Sequence, residues 1–324
     1  MAKNSNLHNA RNTKDDEFYT QITDIEKELK HYRDYFKDAV VFCNCDDPEW
    51  SNFWRYFHLN FEFLGLKKLV TTHYDPSEPT YKMEYEGGND ADITAGTITP
   101  LKTNGDFRSP ECVELLLEAS VVVTNPPFSL FREYVAQLID YNKNFIIVGN
   151  QNAMTGKEIF SLIRENKMWL GYHSGDMAFR VPEDSEPRET RFWIDEDGQK
   201  WRSLGNACWY TNLDIQKRHE PIDLLEKYDA DKYPKFDNYD AINVNKTLSI
   251  PCDYDGVMGV PVTMLQYHCP EQFEIIGHTH SGDDDARVEA LRTDPKHRHR
   301  GLIAGKQIYD RILIKRKDVT GNEN

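Results

Sequence analysis

The segment Val121-Val122-Val123-Thr124-Asn125-Pro126-Pro127-Phe128 runs from three apolar β-branched residues into an amide, two prolines and an aromatic ring. Consecutive valines suit a strand buried on both faces, and neither proline can donate to a ladder. The strand must therefore stop, leaving Asn125 at its carboxyl end. That corner has a chemical meaning. An exocyclic amine conjugated to an aromatic ring, such as N6 of adenine, is a poor nucleophile because its lone pair is delocalised. Two rigidly held oxygens that accept both of its N–H bonds favour a tetrahedral, attacking nitrogen. The Asn125 side chain and the Pro126 carbonyl form such a pair, fixed by the rings of Pro126 and Pro127, and Phe128 offers a face for stacking on a base. A stiff turn without chemistry is the other meaning of Asn-Pro-Pro.

The corner needs elements to hold it. Phe131, Tyr134, Val135, Leu138 and Ile139 recur at helical spacing after it, so strand, turn and amphipathic helix follow one another. Ala39–Cys45 and Leu69–Thr72 read as earlier parallel strands, Phe145–Val148 as a later one, and Trp169–Tyr172 as the start of another. Helices are expected through Ile22, Ile25, Leu29 and Tyr32, through Phe53, Trp54, Phe57 and Phe61, from Ser109-Pro110-Glu111 to Leu117, and over 154–167. Such alternation predicts an α/β fold with a doubly wound, mostly parallel sheet, and ligands bind such sheets at the carboxyl ends of the strands. Three stretches lack a clear period: 75–103 reads as loop, 174–200 as a polar, acid-rich insertion or mobile loop, and 220–324 as turn-rich chain without strong helix periodicity.

Asn125-Pro126-Pro127-Phe128 resembles the catalytic motif of S-adenosylmethionine-dependent amino-methyltransferases, in particular adenine-N6 DNA methyltransferases. Asp16-Glu17-Phe18-Tyr19-Thr20, Cys43-Asn44-Cys45-Asp46-Asp47, Gly105-Asp106-Phe107-Arg108 and the eleven residues from Asp237 to Thr247 extend the likeness to the EcoRI-type modification enzymes. The resemblance runs from near residue 15 to near residue 276 and resumes weakly over 311–315. It implies a Rossmann-like methyltransferase fold with S-adenosylmethionine as cofactor. The roles it implies are Phe18, Tyr19 and Thr20 against the methionine end, Asp106 and Phe107 at the adenine, and Asn44 and Asp46 in the turn after the first strand. An acid beyond the second strand commonly takes the ribose hydroxyls, and Asp75 is the candidate, with Glu78 its rival. Most relatives place glycines in the turn after the first strand; Cys45-Asp46-Asp47-Pro48 has none.

Composition narrows the alternatives. With 39% hydrophobic residues among 324 the chain is globular, and no apolar run approaches the roughly 18 residues of a membrane span. The polar start, without an apolar stretch, gives no sign of a secretory signal, and six irregularly spaced cysteines read as free thiols, so a cytoplasmic protein is expected. Cys43 and Cys45 lack a second pair at zinc spacing and the histidines lack cysteine partners, so no metal is expected. A net charge of −15 argues against indiscriminate binding of polyanions, but basic residues crowd the final stretch.

The expected organisation is a mobile tail over 1–14, a cofactor-binding catalytic domain over 15–215 and a target-recognition region over 216–324. Its partner is double-stranded DNA and the solution state a monomer. Trp209 or Tyr210 would form a second wall for an extruded base, and Arg298 and Arg300 would face DNA. Two other readings stay open. The same corner occurs in enzymes that methylate glutamine amides of proteins, and the missing glycine turn suits a DNA-binding relative that has lost its cofactor.

Overall fold

The computed structural model describes residues 19–317 apart from 77–78, 182, 184, 188, 281–284 and 295–299. Expectations placed on Phe18, Glu78, Arg298 and the 1–14 tail lie outside the described residues.

The described residues of the first unit, up to Ala153 and then Leu170–Leu213, build one large sheet. In chain order its elements begin with β1 (Tyr19–Thr20), helix α1 (Ile22–Leu29) and β2 (Val40–Asn44). Next come α2 (Asn52–Leu59), α3 (Phe61–Leu64), β3 (Lys68–Thr72), β4 (Tyr81–Tyr85), β5 (Thr97–Pro100) and α4 (Pro110–Glu118). The series closes with β6 (Val121–Thr124), α5 (Phe131–Asp140), β7 (Asn144–Asn150), β8 (Trp169–Arg180), β9 (Phe192–Ile194) and β10 (Lys200–Thr211). The strand order is β1-β8-β10-β7-β6-β2-β3-β4-β5, with β9 on β10. The four central strands β7, β6, β2 and β3 are parallel, and antiparallel strands extend the sheet on both sides.

All four residues of β6 are buried, as a valine run between two parallel neighbours requires. Ser51 and Ser109 cap α2 and α4, Ser51 accepting from the Phe53 and Trp54 amides and Ser109 from that of Cys112. Pro110 takes the first turn of α4. The chain leaves β2 toward β3 in one direction and β6 toward β7 in the other. The order therefore reverses between β2 and β6, which is where an open α/β sheet forms its ligand crevice.

The stretch 75–103 is not simply loop: β4 and β5 form a hairpin that widens the sheet, β5 being a four-residue edge strand that ends in a proline and leaves even Ile98 exposed. Nor is 174–200 an unstructured insertion, because β8 and β10 are twelve residues each and β9 lies between them. The second unit comprises Met154–Trp169 and the chain from Asp214 on, so the helix α6 (Lys157–Arg164), expected within the catalytic domain, packs with the C-terminal part. Phe160 of α6 lies edge-on to His278, with ring centroids 4.4 Å apart. This unit carries β11 (Ile242–Asn243), β12 (Met258–Pro261), β13 (Phe273–His278), α7 (Ala286–Leu291), β14 (Leu302–Ile303), β15 (Lys306–Gln307) and β16 (Arg311–Arg316). Four of these strands form a sheet in the order β11-β12-β16-β13, so the described residues between 242 and 316 include a sheet that helical periodicity could not reveal.

A buried acid fastens α1 to β8. Glu28, fully buried, accepts from the Tyr32 hydroxyl at 2.8 Å, from the amides of Tyr172 and His173 at 2.8 and 2.9 Å, and pairs with His173 Nδ1 at 2.8 Å. Gly171 leaves room for it, since a Cβ there would fall 2.2 Å from Glu28 Oε1. Glu28→Ala strands two amides and a hydroxyl in the core, and we predict a loss of about 3–5 kcal/mol of unfolding free energy in urea titrations.

Candidate active site

The end of β2 and the end of β6 meet through one carboxyl group. Asp46 is only 8% exposed; its Oδ1 lies 3.0 Å from the Ser51 hydroxyl, and its Oδ2 is bonded to the Thr124 hydroxyl. The backbone amide of Asn125 also donates to it. Burial pushes the Asp46 carboxyl up to about 7 against those hydrogen bonds, which favour the charged form. The Thr124 hydroxyl reaches the Asn44 carbonyl as well, and the Thr71 hydroxyl joins the carbonyls of Cys43, at 2.8 Å, and Asp46. The main chain on either side of the reversal point is thus cross-linked by side chains from β2, β3, β6 and α2.

These bonds fix the start of Asn125-Pro126-Pro127-Phe128. Pro126 is buried, while Asn125, Pro127 and Phe128 are half-buried, the Asn125 side-chain oxygen itself lying buried. Phe128 opens a single turn that runs to Leu130, closed by the Leu130 amide on the Pro127 carbonyl at 3.0 Å. Beyond it α5 sends Tyr134 back into the core, where its hydroxyl bonds Asn44 Oδ1.

The turn after β2 is built without glycine. Cys45 takes a φ of +68°, the left-handed conformation that glycine usually supplies, at a cost of roughly 1–2 kcal/mol. Asp47 follows, paired with His73 Nδ1 at 3.0 Å and accepting from the Glu49 amide and the Tyr81 hydroxyl. Although burial opposes it, these partners hold the Asp47 carboxyl below its ordinary range.

Asn104 joins two other expected residues. Its carbonyl accepts the Asp75 amide at 3.0 Å and its Oδ1 accepts the Asp106 amide at 3.2 Å, bringing the acid beyond β3 beside the acid before α4. Gly105 lies between, at φ +74°, where a Cβ would fall 1.9 Å from the His73 carbonyl oxygen. Arg108 grips Asp106 with both arms of its guanidinium, at 2.9 and 2.6 Å, and holds that carboxyl below its usual range. The ring of Phe107 is buried edge-on to Tyr134, centroids 5.1 Å apart, and the Gln137 amide fastens its carbonyl to α5 at 3.1 Å. Thr20 is brought to the same end of the sheet by Asn52, the residue after the Ser51 cap, which donates to the Thr20 carbonyl at 2.8 Å.

Thr20, Asp75, Asp106, Phe107 and Asn125 to Phe128 thus belong to turns at one end of the sheet, Thr20 and Phe107 being buried there; for Tyr19 the backbone alone is described, in β1. Asn44 and Asp46, expected at the cofactor, are both buried, and their side-chain oxygens are engaged by Tyr134, Ser51 and Thr124. Trp209 and Tyr210 offer no face to a base, being fully buried, Trp209 edge-on to Phe53 and Tyr210 against Phe131 with its hydroxyl on the Asn150 carbonyl at 2.9 Å. Gly149 makes the room, since a Cβ there would meet both Phe131 and Tyr210 within 3 Å. Arg300 is exposed in the second unit and paired with Asp310 at 2.9 Å. Sequence reasoning missed Ser51, Thr71, Asn104 and Tyr134. Only Ser51 carried a signal, as a cap before an aromatic helix. No group of three or more metal-ligating side chains occurs among the described residues, and no helix there is long and apolar enough to cross a membrane.

The folded protein holds the Asp46 proton more tightly than the unfolded chain, whose ordinary value is 3.8. Its contribution to stability is therefore complete below about pH 4 and lost as the pH rises to about 7. The Asp46→Asn variant should lack this dependence. Between pH 4 and 7.5, wild type should lose on the order of 4 kcal/mol relative to the variant in denaturant titrations.

The family model for the adenine-specific methyltransferase EcoRI matches residues 6–317, without the break that the sequence motifs suggested. The chain is 47% identical over 98% of its length to the Type II methyltransferase M.EcoRI of Escherichia coli, which it covers to 98%. It is 37% identical over 96% of its length to M.MpnI of Mycoplasma pneumoniae, covering 98% of it. It is 35% identical over 97% to M.MgeORF184P of Mycoplasma genitalium, covering 99%. Both are likewise Type II methyltransferases. No solved structure matches the chain. A match to adenine-specific methyltransferases over nearly the whole chain sets aside both the glutamine-amide alternative and that of a non-catalytic DNA-binding relative. With its Asn-Pro-Pro-Phe corner at the reversal point of the sheet and relatives that match it over nearly its whole length, the chain belongs to the EcoRI family of adenine-specific methyltransferases.

Proposed function

We propose that this protein transfers the methyl group of S-adenosylmethionine to N6 of an adenine turned out of duplex DNA, as the modification half of a restriction–modification pair. It acts as a cytoplasmic monomer, with residues 216–324 reading the target. The observation that carries this reading is the position of Asn125. Its amide is tied to Asp46 at the end of β6, where the strand order reverses, and its half-buried side chain adjoins the ring-stiffened Pro126.

The donors and acceptors around the crevice fit the cofactor. The Thr20 hydroxyl oxygen is buried with no hydrogen-bond partner among the described residues, a vacancy suited to the charged methionine end. Asp75 and Asp106, joined through Asn104, offer carboxylates to the ribose hydroxyls and the adenine amine, and Phe107 stands beside Asp106 for the ring. Tyr19 adjoins Thr20 on β1, and Phe18 precedes them. When bound, the cofactor supplies an electrophilic methyl group on a sulfonium.

The chain's part is positional and electrostatic. In a duplex, N6 is paired and stacked, so the base must leave the helix at a cost of a few kcal/mol, offset by stacking on Phe128 and by bonds in the pocket. The Asn125 side-chain oxygen and the Pro126 carbonyl accept the two N–H bonds. The nitrogen lone pair is thereby turned out of conjugation, and the positive charge developing on nitrogen faces two fixed dipoles. No covalent enzyme intermediate is required. The proton released from the methylated amine leaves along the same hydrogen bonds to water.

Substituting Asn125→Ala removes one of the two acceptors. We predict a fall of roughly 10²–10³-fold in kcat for labelled methyl transfer to DNA, with S-adenosylmethionine and DNA affinities within a few-fold of wild type. Unchanged turnover in the variant would rule the role out, and absence of transfer to DNA by the wild-type protein would refute the function itself.

A further inference from the structure

The residues Asp237-Asn238 begin one of the stretches that resemble the EcoRI-type enzymes, yet their types announce no chemistry. In the structure they work as a clamp. The Asp237 amide donates to the Leu302 carbonyl at 2.8 Å, and Asp237 Oδ2 accepts the Gly305 amide at 2.7 Å. Asn238 Oδ1 accepts the Leu302 amide at 2.8 Å, and Asn238 Nδ2 donates to the Arg300 carbonyl at 3.3 Å. The neighbouring Phe236 ring lies so close under Gly301 that a Cβ there would be 2.4 Å from it. Everything these contacts hold belongs to one feature, the two-stranded ribbon of β14 and β15.

That ribbon has the geometry of a tight hairpin. Leu302 pairs with Gln307 and Ile303 with Lys306, and the two turn residues Ala304 and Gly305 take φ +48° and +72°. Positive φ at both central positions marks the turn whose twist suits a two-residue hairpin. Ala304, Gly305, Lys306 and Gln307 are exposed, and just beyond them Tyr309 is 83% exposed. Among the described residues no carboxylate pairs with Lys306. A tip whose backbone is so firmly buttressed while its Lys306 and Gln307 side chains stand exposed is suited to meet another molecule.

Charge identifies what. The chain as a whole is at −15, but residues 287–317 hold ten Lys and Arg against three Asp and Glu. This is the stretch whose field suits a polyphosphate backbone. A two-stranded ribbon fits the major groove, where a Gln amide can bond an adenine edge at N6 and N7, and a lysine reaches phosphate without reading sequence.

We infer that the β14–β15 hairpin is a sequence-reading element for duplex DNA, with Gln307 at a base edge, Lys306 and Tyr309 against the backbone beside it, and Asp237 and Asn238 as positioning residues that hold it. The inference rests on the function proposed above. Gln307 and Lys306 are exposed, so their replacement leaves the fold intact, which unchanged S-adenosylmethionine affinity verifies.

The test is methylation of mixed genomic DNA in vitro by wild type, Gln307→Ala, Lys306→Ala and Asp237→Ala, with the modified adenines mapped, together with the salt dependence of binding to a duplex carrying the mapped site. Gln307→Ala should relax the methylated motif at one base position, with discrimination falling about 5- to 100-fold. Lys306→Ala should keep the motif, weaken binding at all sequences alike and lower the salt slope by about one. Asp237→Ala should reproduce the relaxed motif without touching a base. A motif unchanged in Gln307→Ala and Asp237→Ala together with an unchanged salt slope in Lys306→Ala would overturn the inference while leaving the proposed function standing. No DNA methylation by wild type would instead strike at that function.

Discussion

The site depends on a hydrogen-bonded carboxyl group buried where the sheet changes direction. Two parallel strands leave β2 and β6 side by side, and their following turns diverge, one toward the expected cofactor segments and one into the proline corner. Nothing in a strand ladder fixes how two diverging turns stand to each other. Asp46 does so by reaching from the first turn to the Thr124 hydroxyl and the Asn125 amide of the second. The desolvation this requires is what raises the acid toward neutrality. A buried polar group is retained here because it sets geometry that apolar packing would leave loose.

Around that bond the other contacts form a consistent set. Ser51 both caps α2 and steadies Asp46, so the start of a helix and the position of the acid are one event. Tyr134 bonds Asn44 from α5, and Phe107 rests on Tyr134, so the helix after the corner also carries the segment before α4. Asn104 then ties that segment to Asp75. The turns after β2, β3 and β6 and the segment before α4 are thus fastened to one another, with Asn125, Pro127 and Phe128 half-buried at the end of β6.

Much of this was legible in the sequence where local rules dominate. Three valines before two prolines could only be a strand end, and Ser109-Pro110 could hardly avoid starting a helix. Reading failed where the determinant was long-range. Asp46 and Asn44 have residue types that suit a ligand, and only the folded chain shows that their partners are Thr124 and Tyr134, 78 and 90 positions away. Trp209 and Tyr210 look like base-stacking rings until their neighbours across the sheet are known. The left-handed turn at Cys45 was hidden because the residue usually found there is glycine. The β4–β5 hairpin and the C-terminal sheet were hidden because short strands with one polar face resemble loops.

The central claim is that the link from Asp46 to the strand end sets the rate of methyl transfer by holding the acceptor corner in place. Thr124→Val removes the linking hydroxyl while keeping the shape of the side chain, so the most direct measurement is the single-turnover methylation rate of that variant at saturating DNA and S-adenosylmethionine. The account predicts a fall of about 10–100-fold with both binding affinities within a few-fold of wild type. A rate equal to wild type would contradict it.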